Sequence, residues 1–159
     1  MKIKNSLKMK KIKKIKEVNA MIIALYEVIS EKCQYGENID ALNESERTFF
    51  ITQVVETEVN GGGFSQFFFN SGGNFASEIV NAFTTIGAIK TAAICQQALT
   101  VIGSDMPINH NERQEWLLNY ENEEIEAKLS QCDDAFYRYE ENLNALNYDY
   151  VMKHEADFF

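Results

Sequence analysis

Asn60-Gly-Gly-Gly-Phe-Ser-Gln-Phe-Phe-Phe-Asn-Ser-Gly-Gly73 is the stretch on which the fold turns. The triple glycine lets the chain turn tightly. Phe64, Phe67, Phe68 and Phe69 follow within six residues. Each such side chain buries of order 150 Å² or more, so all four cannot stay in water. The spacing predicts a Gly-rich loop leading into a short helical plug of phenylalanines set in a core. Ser65, Gln66 and Asn70 would satisfy loop backbone or form a small polar patch. A phosphate-cradling loop is a poor alternative, because it needs a nearby lysine. No Lys or Arg stands between Arg47 and Lys90, and Glu56 and Glu58 just upstream repel an anion.

On either side of this segment the apolar residues recur at helical spacing. Val18, Met21, Ile22, Leu25, Ile29 and Cys33 form one stripe, with Gly36 as a stop. Asn43 and Glu46 read as a capping box that opens a helix to about Val59, with Phe50, Ile51, Val54 and Val55 on one side. Phe75, Ile79, Ala82, Phe83 and Ile86 form the next stripe, ending at Gly87. Residues 88–102 are mostly apolar and predict a largely buried helix. Asn111 with Gln114 opens a helix to about Ser130. A last helix starts near Asp133 and carries Ala135, Tyr139, Leu143, Leu146 and Tyr150. Period-2 strand signals are scarce, and Pro107 is the one proline. The expectation is an all-α domain of about six to seven helices over residues 17–159. Residues 1–16 would be a basic N-terminal tail or helix extension.

The formal net charge of −9 over 159 residues hides an asymmetry. Residues 1–16 hold eight lysines and no acid, which leaves seven bases against 24 acids in the rest, a net of −17. An acidic body repels nucleic acid and anionic membrane and attracts a basic surface. No run of 18 apolar residues is present to span a membrane. The lysine-rich start imitates a signal peptide, but Glu27 interrupts the apolar stretch after it. Cys33, Cys95 and Cys132 are odd in number and widely spaced, which suggests neither a disulfide framework nor a zinc site. A cytoplasmic protein with reduced cysteines is the expectation.

Catalytic constellations are not apparent. His110 and His154 lack the His-Glu-x-x-His spacing of a metal site, and Gly63-Phe-Ser-Gln-Phe lacks the second glycine of a nucleophile elbow. The chain is expected to be no enzyme, with no metal and no cofactor. More telling is the charge after residue 104, where 14 of the acids lie against four bases. On one helix from Asn111, with about 100° per residue, Glu112, Glu115, Glu123 and Glu126 fall within about 80° of each other. Glu121 and Glu124 fall outside this row, while Asp133, Asp134, Glu140 and Glu141 follow it in sequence. A solvated face that keeps the protein soluble is one reading. A docking surface for a basic protein is the other. Carboxylates about 5–6 Å apart on successive turns roughly imitate a DNA backbone, whose phosphates follow at about 3.4 Å rise per strand.

The segment Glu56–Asn74 resembles the signature of a bacterial domain family that includes a DNA-mimic protein, one that binds a transcriptional regulator in place of DNA. The match is carried by Glu58, Gly62, Gly63, Phe64, Gln66, Phe67, Phe68 and Asn70. Gly61 stands where the family pattern has Asn. Residues 83–102 and the tail from Asp133 also look like the family. The resemblance implies an all-helical fold and a non-catalytic role. Two functions stay open. One is an acidic interaction module, as a monomer or homodimer, that occupies the DNA-binding surface of a basic regulator. The other is an immunity-type or stress-associated binding protein that uses Glu58, Asn60, Gln66 and Asn70.

Overall fold

A computed structural model describes residues 2–120 and 122–159, with side chains from residue 7 onward. Met1 and Glu121 lie outside the described residues, and with them the expected place of Glu121 off the acidic row. Among the described residues the chain is all-α, with nine α-helices, three short 3-10 segments and no strand. They gather into two compact units, Met1–Phe50 with Asn142–Phe159, and Ile51–Glu141.

The first unit is built on α2 (Val18–Lys32), whose Met21, Ile22, Leu25 and Ile29 are buried, together with Cys33 just past its end. The Glu17 carboxylate caps its start by accepting from the backbone N–H of Asn19 and Ala20. α1 (Lys2–Ile12) and α8 (Leu143–Lys153) pack against α2, and α9 (Glu155–Phe158) follows α8. Lys8 pairs with Glu31 at 3.2 Å and Lys13 with Glu155, so α1 and the turn after it are held in this unit. The helix α3 (Glu44–Phe69) begins here with a reciprocal capping box. Glu46 N–H donates to Asn43 Oδ1 at 2.9 Å, and Asn43 N–H donates to Glu46 Oε2 at 3.0 Å. Between α2 and α3 the chain does not stop at Gly36 alone. Gln34 and Tyr35 also adopt positive φ, and α2 ends at Lys32.

In the second unit α3 continues to a kink at Gly62–Gly63 and then restarts. A 3-10 segment (Ser71–Glu78) leads into α4 (Ile79–Thr85), then come α5 (Ile89–Ile102), α6 (His110–Tyr120) and α7 (Glu123–Tyr137). α5 packs against both α4 and α7. It is not largely buried. Thr91, Ala92, Cys95, Ala98 and Ile102 face inward, and Ile89 is exposed. The high apolar count misled because alanine and isoleucine stand on both faces.

Two expected helices are divided. The run from Asn111 to Ser130 breaks after Tyr120, because Asn122 takes an extended backbone and its side chain accepts from Glu124 and Ile125 N–H. That is the geometry of an Asn N-cap, with Glu123, Glu124 and Glu126 favourably placed in the first turn. α7 then runs straight through Asp133, where a new helix was expected. The stripe Ala135–Tyr150 is divided as well. Tyr139 has φ +44°, and Asn142 caps α8 through Ala145 N–H.

Candidate functional site

The glycine–phenylalanine segment is a kinked helix locked by polar side chains. Gly63 has φ +75°, the left-handed region that favours glycine, and a side chain there would run into the Asp133 carboxylate. Asp133 Oδ1 accepts from Phe64 N–H at 2.7 Å, so a residue of α7 caps the restarted helix from outside. Glu58 Oε2 accepts from Gln66 Nε2 and from Asn70 Nδ2, both at 2.9 Å, and so straps the two halves of α3 across the kink. The Gln66 side chain fills the space that a side chain on Gly62 would need. Phe64, Phe67 and Phe68 are fully buried, with Phe64 edge-on to Phe136. Phe69 is not part of the plug; it is 37% exposed.

Gly61 fits the same picture. A side chain there would press on Gln66, and the adjacent Asn60 instead donates to the Tyr139 hydroxyl at 2.6 Å. That hydroxyl donates to Glu56 at 2.9 Å. Burial raises the Glu56 carboxyl above the usual carboxylate range, against the lowering effect of the Tyr139 bond. Burial also pushes the Tyr139 phenol up to about 12, despite Asn60. Asp133 is likewise raised by burial, although Phe64 N–H draws it down. Glu58, Gln66 and Asn70 are engaged with one another, and Asn60 with Tyr139. The polar groups needed by an immunity-type binding surface are thus tied into internal hydrogen bonds.

Sequence reasoning passed over Arg113. It is fully buried in α6 and closes the C-terminal end of α3. Its Nε donates to Phe68 O at 2.7 Å, Nη1 to Ile108 O at 2.5 Å, and Nη2 to Asn70 O at 3.0 Å and Asn74 Oδ1 at 2.8 Å. These four oxygen acceptors are neutral, Nη2 also lies 3.3 Å from His110 Nδ1, and burial lowers the guanidinium from its ordinary value. A cation at a helix C-terminus meets carbonyls that lack intrahelical partners. The available signal was spacing, since Arg113 lies one turn before buried Leu117 on the inner side of α6.

The acidic residues separate into two sets. Asp133, Glu140 and Glu141 have partners within the chain. Glu141 accepts from Lys90 and Thr91 N–H and from the Thr91 hydroxyl, which caps α5. These bonds hold its carboxyl below the usual range against the opposing effect of burial. Glu140 pairs with Lys90 at 2.9 Å. By contrast, Glu112, Glu115, Glu123, Glu126 and Asp134 are exposed, and their carboxylates make no ion pair among the described residues. They do not form one row. Glu112 and Glu115 lie on α6, while on α7 Glu123 and Asp134 lie opposite buried Leu129, Cys132 and Phe136 and Glu126 lies at the flank. With about 1.5 Å rise per residue, the α7 set spans roughly 16 Å.

Among the described residues, no group of three or more His, Cys, Asp or Glu is placed to hold a metal ion. No described helix is long and apolar enough to cross a membrane. Cys33, Cys95 and Cys132 are buried free thiols.

A helix kinked at paired glycines, strapped by a carboxylate and closed by a buried arginine beside a strongly acidic surface, defines an all-helical protein built around one signature segment. The chain belongs to the family described as DMP19-like protein, whose model matches residues 40–154. No curated protein and no solved structure matches it.

Proposed function

We propose that this chain is a non-catalytic interaction protein whose exposed carboxylates dock a basic protein, in the manner of a DNA mimic that occupies the DNA-binding surface of a regulator. The observation that carries the reading is the separation of the acids. Asp133 and Glu141 accept backbone N–H bonds within the fold, and Glu140 pairs with Lys90 at the surface. Glu112, Glu115, Glu123, Glu126 and Asp134 are exposed and make no ion pair among the described residues. Like charges at i, i+3 destabilise a helix by a few tenths of a kcal/mol each, and a basic partner relieves them. Membership of the DMP19-like family is compatible with this role.

The test is affinity purification at low and high salt with the wild-type chain and the Glu112→Gln/Glu115→Gln/Glu123→Gln/Glu126→Gln variant. The expected result is capture of a basic DNA-binding protein that is released by duplex DNA, weakened by salt and lost with the variant. Capture that neither salt nor the variant diminishes would overturn the proposal.

A further inference from the structure

We infer that the groove on the open side of α6 is a receptor for a single arginine side chain of a basic partner, an assignment that rests on the docking role proposed above. α6 turns Arg113 and Leu117 inward. The same helical period turns Glu112, Glu115 and Asn119 the other way and sets Trp116 and Tyr120 along the flank between the two sides, and with Pro107 these residues line an open cavity of about 420 Å³. Trp116 and Tyr120 stack with ring centroids 4.0 Å apart and planes 20° from parallel. Asn119 Nδ2 donates one of its two N–H groups to Glu115 O at 2.8 Å, and its Oδ1 joins the carboxylates of Glu112 and Glu115 as acceptors in the lining.

Among the described residues, no basic side chain lines the groove. An anion would meet two carboxylates there, and an apolar side chain would leave them without donors. A guanidinium meets both demands, because it is planar, stacks on an aromatic face and carries five N–H donors in a fixed fork. An ammonium is a compact point charge that is more strongly hydrated and stacks less well. The carboxylates of Glu112 and Glu115 stand one turn apart, a separation that a fork can bridge from above the ring pair.

Trp116 is the one tryptophan of the chain, so its emission reports on this groove directly. The full chain is titrated at low salt with a capped tetra-arginine peptide. A saturable change in Trp116 emission is expected, with a half-saturation concentration lower by about fivefold than for tetra-lysine. The Glu112→Gln/Glu115→Gln variant is expected to raise that concentration by about tenfold or more, and the Glu123→Gln/Glu126→Gln variant by no more than about twofold. Failure of the emission to change, or equal loss in the two variants, would overturn the groove while leaving the wider acidic surface to be judged by the capture experiment. Equal binding of tetra-lysine would overturn the choice of arginine.

Discussion

Replacing Arg113 with methionine removes a buried cation while keeping most of the volume of its stem, and the structure sets the scale of the loss. The guanidinium makes four hydrogen bonds to oxygens of Phe68, Ile108, Asn70 and Asn74, besides a longer one to His110 Nδ1 at 3.3 Å. A bond from a charged donor contributes about 1.5–3 kcal/mol, so the four together are of order 6–12 kcal/mol. Against this stands the cost of taking the guanidinium out of water, several kcal/mol, which the variant no longer bears. Three of the four bonds are only part-buried, so water can reach some of the abandoned acceptors. The expected net destabilisation is about 3–5 kcal/mol, a large part of the roughly 5–15 kcal/mol that holds a domain folded. With a urea dependence near 2 kcal/mol per molar, the midpoint should fall by about 1.5–2.5 M. Trp116 emission follows the transition from the same helix, three residues on. Arg113→Lys should recover little, because an ammonium cannot reproduce the fork. A methionine variant within about 0.5 kcal/mol of wild type would refute the reasoning, for it would mean that the end of α3 needs no cation.

Three further outcomes follow from the same segment. Gly63→Ala should destabilise by at least about 2 kcal/mol in urea titration, through its positive φ and the displaced Asp133. Pairing it with Asp133→Ala should not restore stability, since the φ penalty persists. Glu58→Ala leaves the Gln66 and Asn70 donors without their carboxylate, and should lower stability by about 1–3 kcal/mol, with Glu58→Gln recovering part. Tyr139 gives a pH signature. Burial pushes its phenol up to about 12 in the folded chain, above the usual phenol value of about 10, so between these the folded state holds the extra proton and stability falls as pH rises. Tyr139→Phe should flatten that decline between pH 10 and 12 while losing the bonds to Glu56 and Asn60 at neutral pH. Identical slopes in the two proteins would refute the assignment.

The helical character was legible because period and capping act locally. The Asn43/Glu46 box and the stripe of α2 depend on residues within a turn or two of each other. The breaks at Asn122 and Tyr139 were missed for an opposite reason. A continuous apolar stripe says nothing about whether the backbone runs on, and Asn122 with its following glutamates was a cap signal outweighed by that stripe. The acidic surface was legible as a charge total but not as a face. Whether a carboxylate is free depends on distant partners such as Phe64 N–H for Asp133 and Thr91 for Glu141. Arg113 was invisible for the same reason, since its acceptors Phe68, Asn70 and Asn74 lie some forty positions earlier.

The division of the chain has a consequence for its birth. Ile51–Glu141 is one uninterrupted run, whereas the other unit joins the N-terminal part to Asn142–Phe159. At about 5–20 residues per second, synthesis of that closing segment takes roughly 1–4 s. Throughout this interval α2 has been made but α8, which covers it, has not. The surface bearing the free carboxylates is encoded wholly in the earlier run. A ribosome stalled near residue 141 would therefore hold every one of those acids while the apolar stripe of α2 still lacked its cover, a state for chaperones to recognise.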